Sequence, residues 1–240
     1  MARPSEDPAF APHAAEHSDC EAWTAAASAQ LQAAFAALAA HEWSHEEQRQ
    51  LSELLISRER ELLELLPSLA RAGLGSLCMR IHGDLDLAQV LVVSGDAYFI
   101  DFEGEPARPL AQRRAKSSPL RDVAGMLRSF DYLAASGFAS GGAGQSDATQ
   151  ARKQTIVERF HQVSKQSFIS AYVQATQSLP HHWSSPEDWQ RLLELFLLEK
   201  AAYEIGYEAA NRPSWLGVPL RGLAALAARV LPGWPAKEQA

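Results

Sequence analysis

The chain has 240 residues, 47% of them hydrophobic, enough to bury a substantial core without disulfides or metal. Its formal charge of -7 opposes nonspecific attraction to a nucleic-acid backbone. Cys20 and Cys78 are the only cysteines, too few for a disulfide framework and without the spacing of a zinc site. No basic segment joined to an apolar stretch opens the chain, and no later run is apolar enough to span a bilayer. The expectation is a cytoplasmic chain with neither a membrane nor a nucleic-acid partner.

Residues 1–20 contain Pro4, Pro8 and Pro12 among several acids and read as a disordered or hinge-derived segment ahead of a body covering 21–240. Trp23, Leu31, Phe35 and Leu38 fall at near-helical spacing in an Ala-rich run, predicting a helix over Cys20–Ala40. Ser44 with Glu47 forms a capping-box pattern, and Leu51, Leu54, Leu55, Leu62, Leu63 and Leu66 extend an apolar stripe to Pro67. A second helix over this stretch would complete a helical hairpin.

Val90–Val93 is a short β-branched run, Ser94-Gly95-Asp96 supplies a turn and Ala97–Phe102 returns, so a β-hairpin is expected. Ser118-Pro119 is a good helix start, with helical periodicity over Leu120–Tyr132. Residues 137–149, rich in Gly, Ser and Ala, read as a flexible loop. Helices follow over Ala151–Thr176, Pro186–Asn211 and Leu220–Val230. There is no internal repeat.

The chemistry concentrates around the hairpin. Phosphoryl transfer to a hydroxyl needs a carboxylate to accept the hydroxyl proton, and Mg2+ on oxygen ligands to offset phosphate charge. Asp84, in a His-Gly-Asp loop before the first strand, and Asp101, at the end of the second, suit those roles, because the turn brings them towards one site. Gln89 offers an amide oxygen as a further metal ligand. His82 can fix the loop by hydrogen bonding, and Gly83 allows a backbone that a larger residue resists. A lone His-Gly-Asp is an ordinary turn; the joint pattern of loop, hairpin and Asp101-Phe102-Glu103 points to a metal-dependent site.

Two other groups are ambiguous. Arg108, Arg113, Arg114, Lys116 and Arg121 form a basic run that suits either nucleotide phosphates or a solvated loop. Lys200, Tyr203, Glu204, Tyr207 and Asn211 recur at intervals of three and four on one helix face. That face could grip a sugar through charged groups and aromatic rings, or be a Lys200–Glu204 surface pair flanked by core-edge tyrosines. Trp183, Trp189, Trp215 and Trp234 read as packing residues.

From Arg80 to Tyr132, through Ile100-Asp101-Phe102-Glu103-Gly104-Glu105-Pro106 and Ser118-Pro119-Leu120-Arg121-Asp122-Val123-Ala124-Gly125-Met126-Leu127-Arg128, the chain resembles bacterial maltokinase. The similarity resumes at Leu197-Leu198-Glu199-Lys200-Ala201-Ala202-Tyr203-Glu204, at Asn211-Arg212-Pro213 and at Pro219-Leu220-Arg221-Gly222. The resemblance implies an α+β, predominantly α-helical fold, the C-terminal lobe of a protein-kinase-like, aminoglycoside phosphotransferase-like enzyme with a short β-hairpin at the catalytic site. It also implies transfer of the ATP γ-phosphate to the anomeric hydroxyl of maltose, giving maltose 1-phosphate. By that resemblance Asp84 is the catalytic base, with His82 beside it. Gln89 and Asp101 hold Mg2+, Glu103 contacts metal or sugar, and Asp122 braces the loop. Lys200, Tyr203, Glu204 and Tyr207 then face the sugar.

Within the active loop Asp86 stands where the family commonly has His, and Ala88 where it has Gly. Asp86 adds negative charge near Asp84 and Ala88 disfavours positive φ, so reduced activity is expected. No strand-rich segment precedes residue 75 to supply a glycine-rich loop or phosphate-binding lysine, so the nucleotide lobe is expected to be absent and the ATP site incomplete. Trehalose synthase, or a separately encoded N-terminal lobe, is the implied partner of such a half-enzyme or of a noncatalytic module. A kinase for another sugar or an aminoglycoside is the alternative reading, because the hairpin does not select the acceptor.

Overall fold

The computed structural model describes residues 5–139, 146–179, 185 and 187–235. Strand β1 (His13–Ala14) leads into helices α1 (His17–Ala40), α2 (Glu46–Ser57) and α3 (Glu59–Arg71). Strand β2 (Leu77–Cys78) precedes the hairpin of β3 (Val90–Val93) and β4 (Asp96–Phe99). Helices α4 (Leu110–Arg114), α5 (Leu120–Ala139), α6 (Asp147–Thr176), α7 (Asp188–Asn211) and α8 (Gly217–Val230) complete the order. The result is a helical body with two small two-stranded antiparallel sheets, as the α+β expectation holds.

Helix α7 is the axis of the body. Its run Leu192, Leu193, Leu195, Phe196, Leu197, Leu198, Ala201, Ala202 and Ile205 is buried almost all round, the pattern of a helix with neighbours on every side. Helices α1, α3, α5 and α8 pack against it, and Trp23 of α1 meets Phe196 edge to face at 5.6 Å. Each fully buried Leu of this set contributes about 1.5–3 kcal/mol by leaving water.

Several predicted boundaries move. Residues 17–20 are the first turn of α1 and residues 13–14 pair with β2, so the ordered body starts before residue 21. The stripe predicted as one helix to Pro67 is two helices broken at Arg58, whose φ of -105° and ψ of 10° depart from helical values. There the Arg58 guanidinium donates to the Pro232 carbonyl at 2.8 Å. Pro67 lies inside α3. The capping box at Ser44 does not form, since His45 is the N-cap. Residues 137–139 and 147–149, predicted as loop, are helical, and the rest of that stretch lies outside the described residues. Trp183 does too, as does Pro186, and α7 starts at Asp188.

The hairpin forms as predicted, with Val90 opposite Phe99 and Val93 opposite Asp96. Ser94 and Gly95 have φ of 53° and 88°, the backbone of a two-residue turn whose twist matches the strands. Strand β4 ends at Phe99, and Asp101 sits beyond it at φ 64°. For a non-glycine residue this left-handed conformation is uncommon and strained.

Candidate functional site

The His82-Gly83-Asp84 loop is held from two sides. From α5, the Asp122 carboxylate accepts the amides of His82 at 2.7 Å and Gly83 at 2.9 Å. Burial pushes the Asp122 carboxyl up, and these two amides work against that shift. From the hairpin side, His82 Nε2 donates to the Ile100 carbonyl at 2.7 Å, while Nδ1 accepts the Asp84 amide at 3.4 Å. Both ring nitrogens of this buried residue are thus engaged. His82 ties Asp84 to the segment that ends in Asp101, and offers no free nitrogen for acid–base work. Gly83 takes φ 84°, which makes glycine the fitting residue there.

The loop also needs room. A Cβ on Gly125 of α5 would stand 2.4 Å from the Leu85 carbonyl oxygen, so only glycine lets the helix pass this close to the residue after Asp84. Past it, Asp86 caps a short 3-10 turn over Leu87–Gln89, accepting the Ala88 amide at 2.8 Å. Ala88 is not among the described residues with positive φ. Its methyl group therefore carries none of the expected backbone cost.

Gln89 and Asp101 flank the open end of the hairpin, where the Ile100 amide donates to the Gln89 carbonyl at 3.1 Å. One carboxylate and one amide oxygen are hard donors suited to Mg2+, which completes its shell with water and phosphate oxygens. Glu103 is different. It is largely exposed and its carboxylate faces Arg113 at 3.9 Å. Among the described residues no cluster of three His, Cys, Asp or Glu donors forms around Asp84, Asp101 and Glu103.

The predicted face of α7 does reach Asp84. Lys200 Nζ stands 3.5 Å from Asp84 Oδ1 and 5.0 Å over the Tyr203 ring, while Tyr203 and Tyr207 stack at 6.4 Å. Glu204 does not pair with Lys200 at the surface. Its Oε2 accepts from Arg128 Nε at 2.8 Å and Nη2 at 2.6 Å in the interior. Burial pushes the Glu204 carboxyl up, and Arg128 opposes it. Asn211 turns back to donate to the Tyr207 carbonyl at 2.9 Å.

Tyr203 and Tyr207 help wall a cavity of about 370 Å³ lined by Asp84, Asp86, Glu105, Glu204 and Glu208 against Lys200 and Arg212; Asn211 is not part of it. Three of the five carboxylates are matched by cations: Asp84 by Lys200, Glu204 by Arg128 and Glu208 by Arg212. Among the described residues no ion pair holds Asp86 or Glu105. Burial, with Glu105 and Asp84 nearby, raises the Tyr203 phenol far above its ordinary value, so it stays protonated and serves as a hydrogen-bond partner of Glu105.

Sequence reasoning missed the groups that act at a distance. Glu199, 2% exposed, accepts from Arg121 Nη1 at 2.5 Å and Arg108 Nη2 at 3.2 Å. Two members of the basic run are therefore drawn together beside Asp84, pinning the segment after the hairpin to α7. Arg113 goes to Glu103, and Lys116 Nζ donates to the Pro8 carbonyl at 2.6 Å. Arg128 and Glu199 lay within stretches that resemble maltokinase. Their partners, 76 and 78 residues away, gave no sequence signal.

With this geometry in hand, solved structures of glucosamine kinase superpose on the chain with a TM-score of 0.71 at 23% identity. Crystal form B matches over 90% of this chain and 47% of that one. The complex with glucosamine, ADP and inorganic phosphate matches over 90% and 46%. The chain shares their fold. In sequence, the glucosamine kinase of Mycolicibacterium smegmatis is 30% identical over 146 residues, 60% of this chain and 33% of that protein. The glucosamine kinase of Streptacidiphilus jiangxiensis is 36% identical over 59 residues, 25% of this chain and 14% of that protein. No family model matches. The chain spans a third or less of these curated relatives and about half of the solved chains. Among the described residues no helix is long and apolar enough to cross a membrane.

Proposed function

We propose that the chain supplies the base, the metal ligands and the acceptor pocket of an ATP-dependent sugar kinase, and that its acceptor is an amino sugar. The observation that carries this reading is the pair Asp86 and Glu105, two carboxylates without an ion-pair partner among the described residues, in a cavity that opens on Asp84. An ammonium group on the acceptor would complete them, and a neutral sugar would leave their charge unmatched. The likeness to glucosamine kinases supports the same acceptor class over the maltose implied by the maltokinase resemblance. The Asp86 substitution then fits acceptor choice and is no defect.

In this reading Asp84 accepts the proton of the acceptor hydroxyl as its oxygen bonds to the γ-phosphorus and the bond to the ADP oxygen breaks. Lys200 fixes the Asp84 carboxylate from α7, and Tyr203 and Tyr207 offer ring faces to sugar C-H groups. Gln89 and Asp101 would hold Mg2+, which when bound offsets phosphate charge. The nucleotide-binding lobe would dock on the hairpin, where Leu91, Val92, Val93, Tyr98, Phe99, Ile100 and Phe102 are 39–74% exposed. So large an apolar surface is costly to leave in water.

The test is phosphoryl transfer from Mg-ATP to glucosamine, glucose and maltose by the full chain with a glucosamine-kinase nucleotide-binding lobe supplied alongside it. Phosphorylated glucosamine is the expected product, and Asp84→Asn is expected to lower the rate by about 10²–10⁴-fold, the usual contribution of a positioned base. Unchanged turnover in that variant would remove Asp84 from its role, and a maltose phosphate as main product would return the acceptor to maltose.

A further inference from the structure

Far along the chain from the Asp84 loop's partners on α7, β1 and β2 bring a second set of donor atoms together. His13 and Cys78 are opposite residues of the antiparallel pair, so their side chains emerge on the same face about 4.5–5.5 Å apart at Cβ. Asp19, in the first turn of α1, is aimed at them by its helix-capping bond, in which Oδ2 accepts the Glu16 amide at 2.9 Å. Oδ2 also lies 3.2 Å from His13 Nε2, and Oδ1 lies 4.0 Å from Cys78 Sγ. The three donor atoms all fall within 4.8 Å of one another.

We propose that His13, Asp19 and Cys78 form a zinc-type transition-metal site that clamps the N-terminal strand to the strand leading into the His82-Gly83-Asp84 loop. A tetrahedral ion with bonds of about 2.0–2.3 Å to nitrogen, oxygen and sulfur sets its ligands about 3.3–3.6 Å apart. The observed 3.2 Å and 4.0 Å straddle that spacing and the third pair lies within 4.8 Å, so closure needs side-chain shifts of up to about an ångström. Thiolate and imidazole select zinc-like ions over Mg2+, which separates this site from the oxygen donors Gln89 and Asp101. The Cys78 sulfur is buried while the His13 side chain is 41% exposed, which leaves the imidazole side as the entry path. Three ligands leave one position for water.

Binding forms the metal–sulfur bond as the Cys78 thiol releases its proton to solvent. No electron transfer is involved. A metal here closes a loop between residue 13 and residue 78 and so fixes where β2 hands over to the residues before His82.

Cobalt(II) titrated into the full chain, previously stripped with chelator, reads the site directly. The expected result is a one-to-one complex with a thiolate-to-cobalt charge-transfer band, displaced by zinc. Cys78→Ser should abolish the band, and His13→Asn, at an exposed position that leaves the fold intact, should weaken binding by about tenfold or more. Zinc should raise the unfolding temperature of the parent chain and not of either variant. A spectrum without the band, or equal zinc affinity and equal thermal shift in the parent and His13→Asn chains, would overturn the site.

Discussion

At the scale of single residues, the least expected feature is the buried cation behind the acid-lined cavity. Arg128 is 2% exposed and holds Glu204 on one side and Asp131 on the other, the latter at 2.5 Å. Removing one member of such a buried set leaves uncompensated charge, at a cost of about 3–5 kcal/mol. Arg128→Met should therefore destabilise the chain by that amount in chemical denaturation and weaken acceptor binding, since Glu204 lines the cavity. Asp131 gives the set a pH signature. Burial pushes its carboxyl up, but Arg128, Lys165 and His161 outweigh burial and bring it below its ordinary 3.8. A depressed carboxyl adds stability above the unfolded value and loses it as pH falls through the folded one. Below pH 3.8 the parent chain should thus lose stability more steeply than Asp131→Asn, as thermal unfolding across pH 2–5 would show. The sequence made Asp84, Gln89, Asp101 and the α7 face legible because their chemistry is local or periodic. Arg128 and Glu199 were hidden because burial and partners far along the chain define them.

At the scale of elements, the site is the meeting of a loop, a hairpin and two helices. Asp122 of α5 and His82 together fix the loop, and Gly125 gives it passage. Gly125→Ala should push the Leu85 carbonyl off α5 and displace Asp84, lowering phosphoryl transfer by about tenfold or more, the sensitivity expected of a misplaced base. Far-ultraviolet dichroism should stay unchanged, since alanine favours helix. Hairpin and turn were readable from β-branched runs and a Ser-Gly turn, because both signals are local. The break at Arg58 was not, because the leucine stripe continues through it and the contact to the Pro232 carbonyl is 174 residues away. Pro67 misled for a related reason: packing of α3 on α1 and α7 outweighs the local penalty of an interior proline.

At the scale of the molecule, a helical body built around α7 presents one acid-lined cavity and one apolar hairpin, and both adjoin the Asp84 loop. The resemblance to maltokinase drew attention to the Asp84 loop and to the α7 face that lies against it. It could not choose the acceptor, because in the proposed reading that choice lies in the carboxylates left without an ion pair among the described residues: Asp86 and Glu105. The pairing becomes visible only once Lys200, Arg128 and Arg212 are seen to neutralise the other three carboxylates. A charge-assisted hydrogen bond from an ammonium is worth about 1.5–3 kcal/mol, or about ten- to a hundredfold in affinity. The most direct measurement is calorimetric titration of glucosamine, glucose and maltose into the full chain and its Asp86→Asn variant, at a pH where the amine is protonated. The account predicts that glucosamine binds at least about tenfold more tightly than glucose and that Asp86→Asn erodes this preference. Glucose or maltose binding as tightly as glucosamine, with no change in the variant, would contradict it.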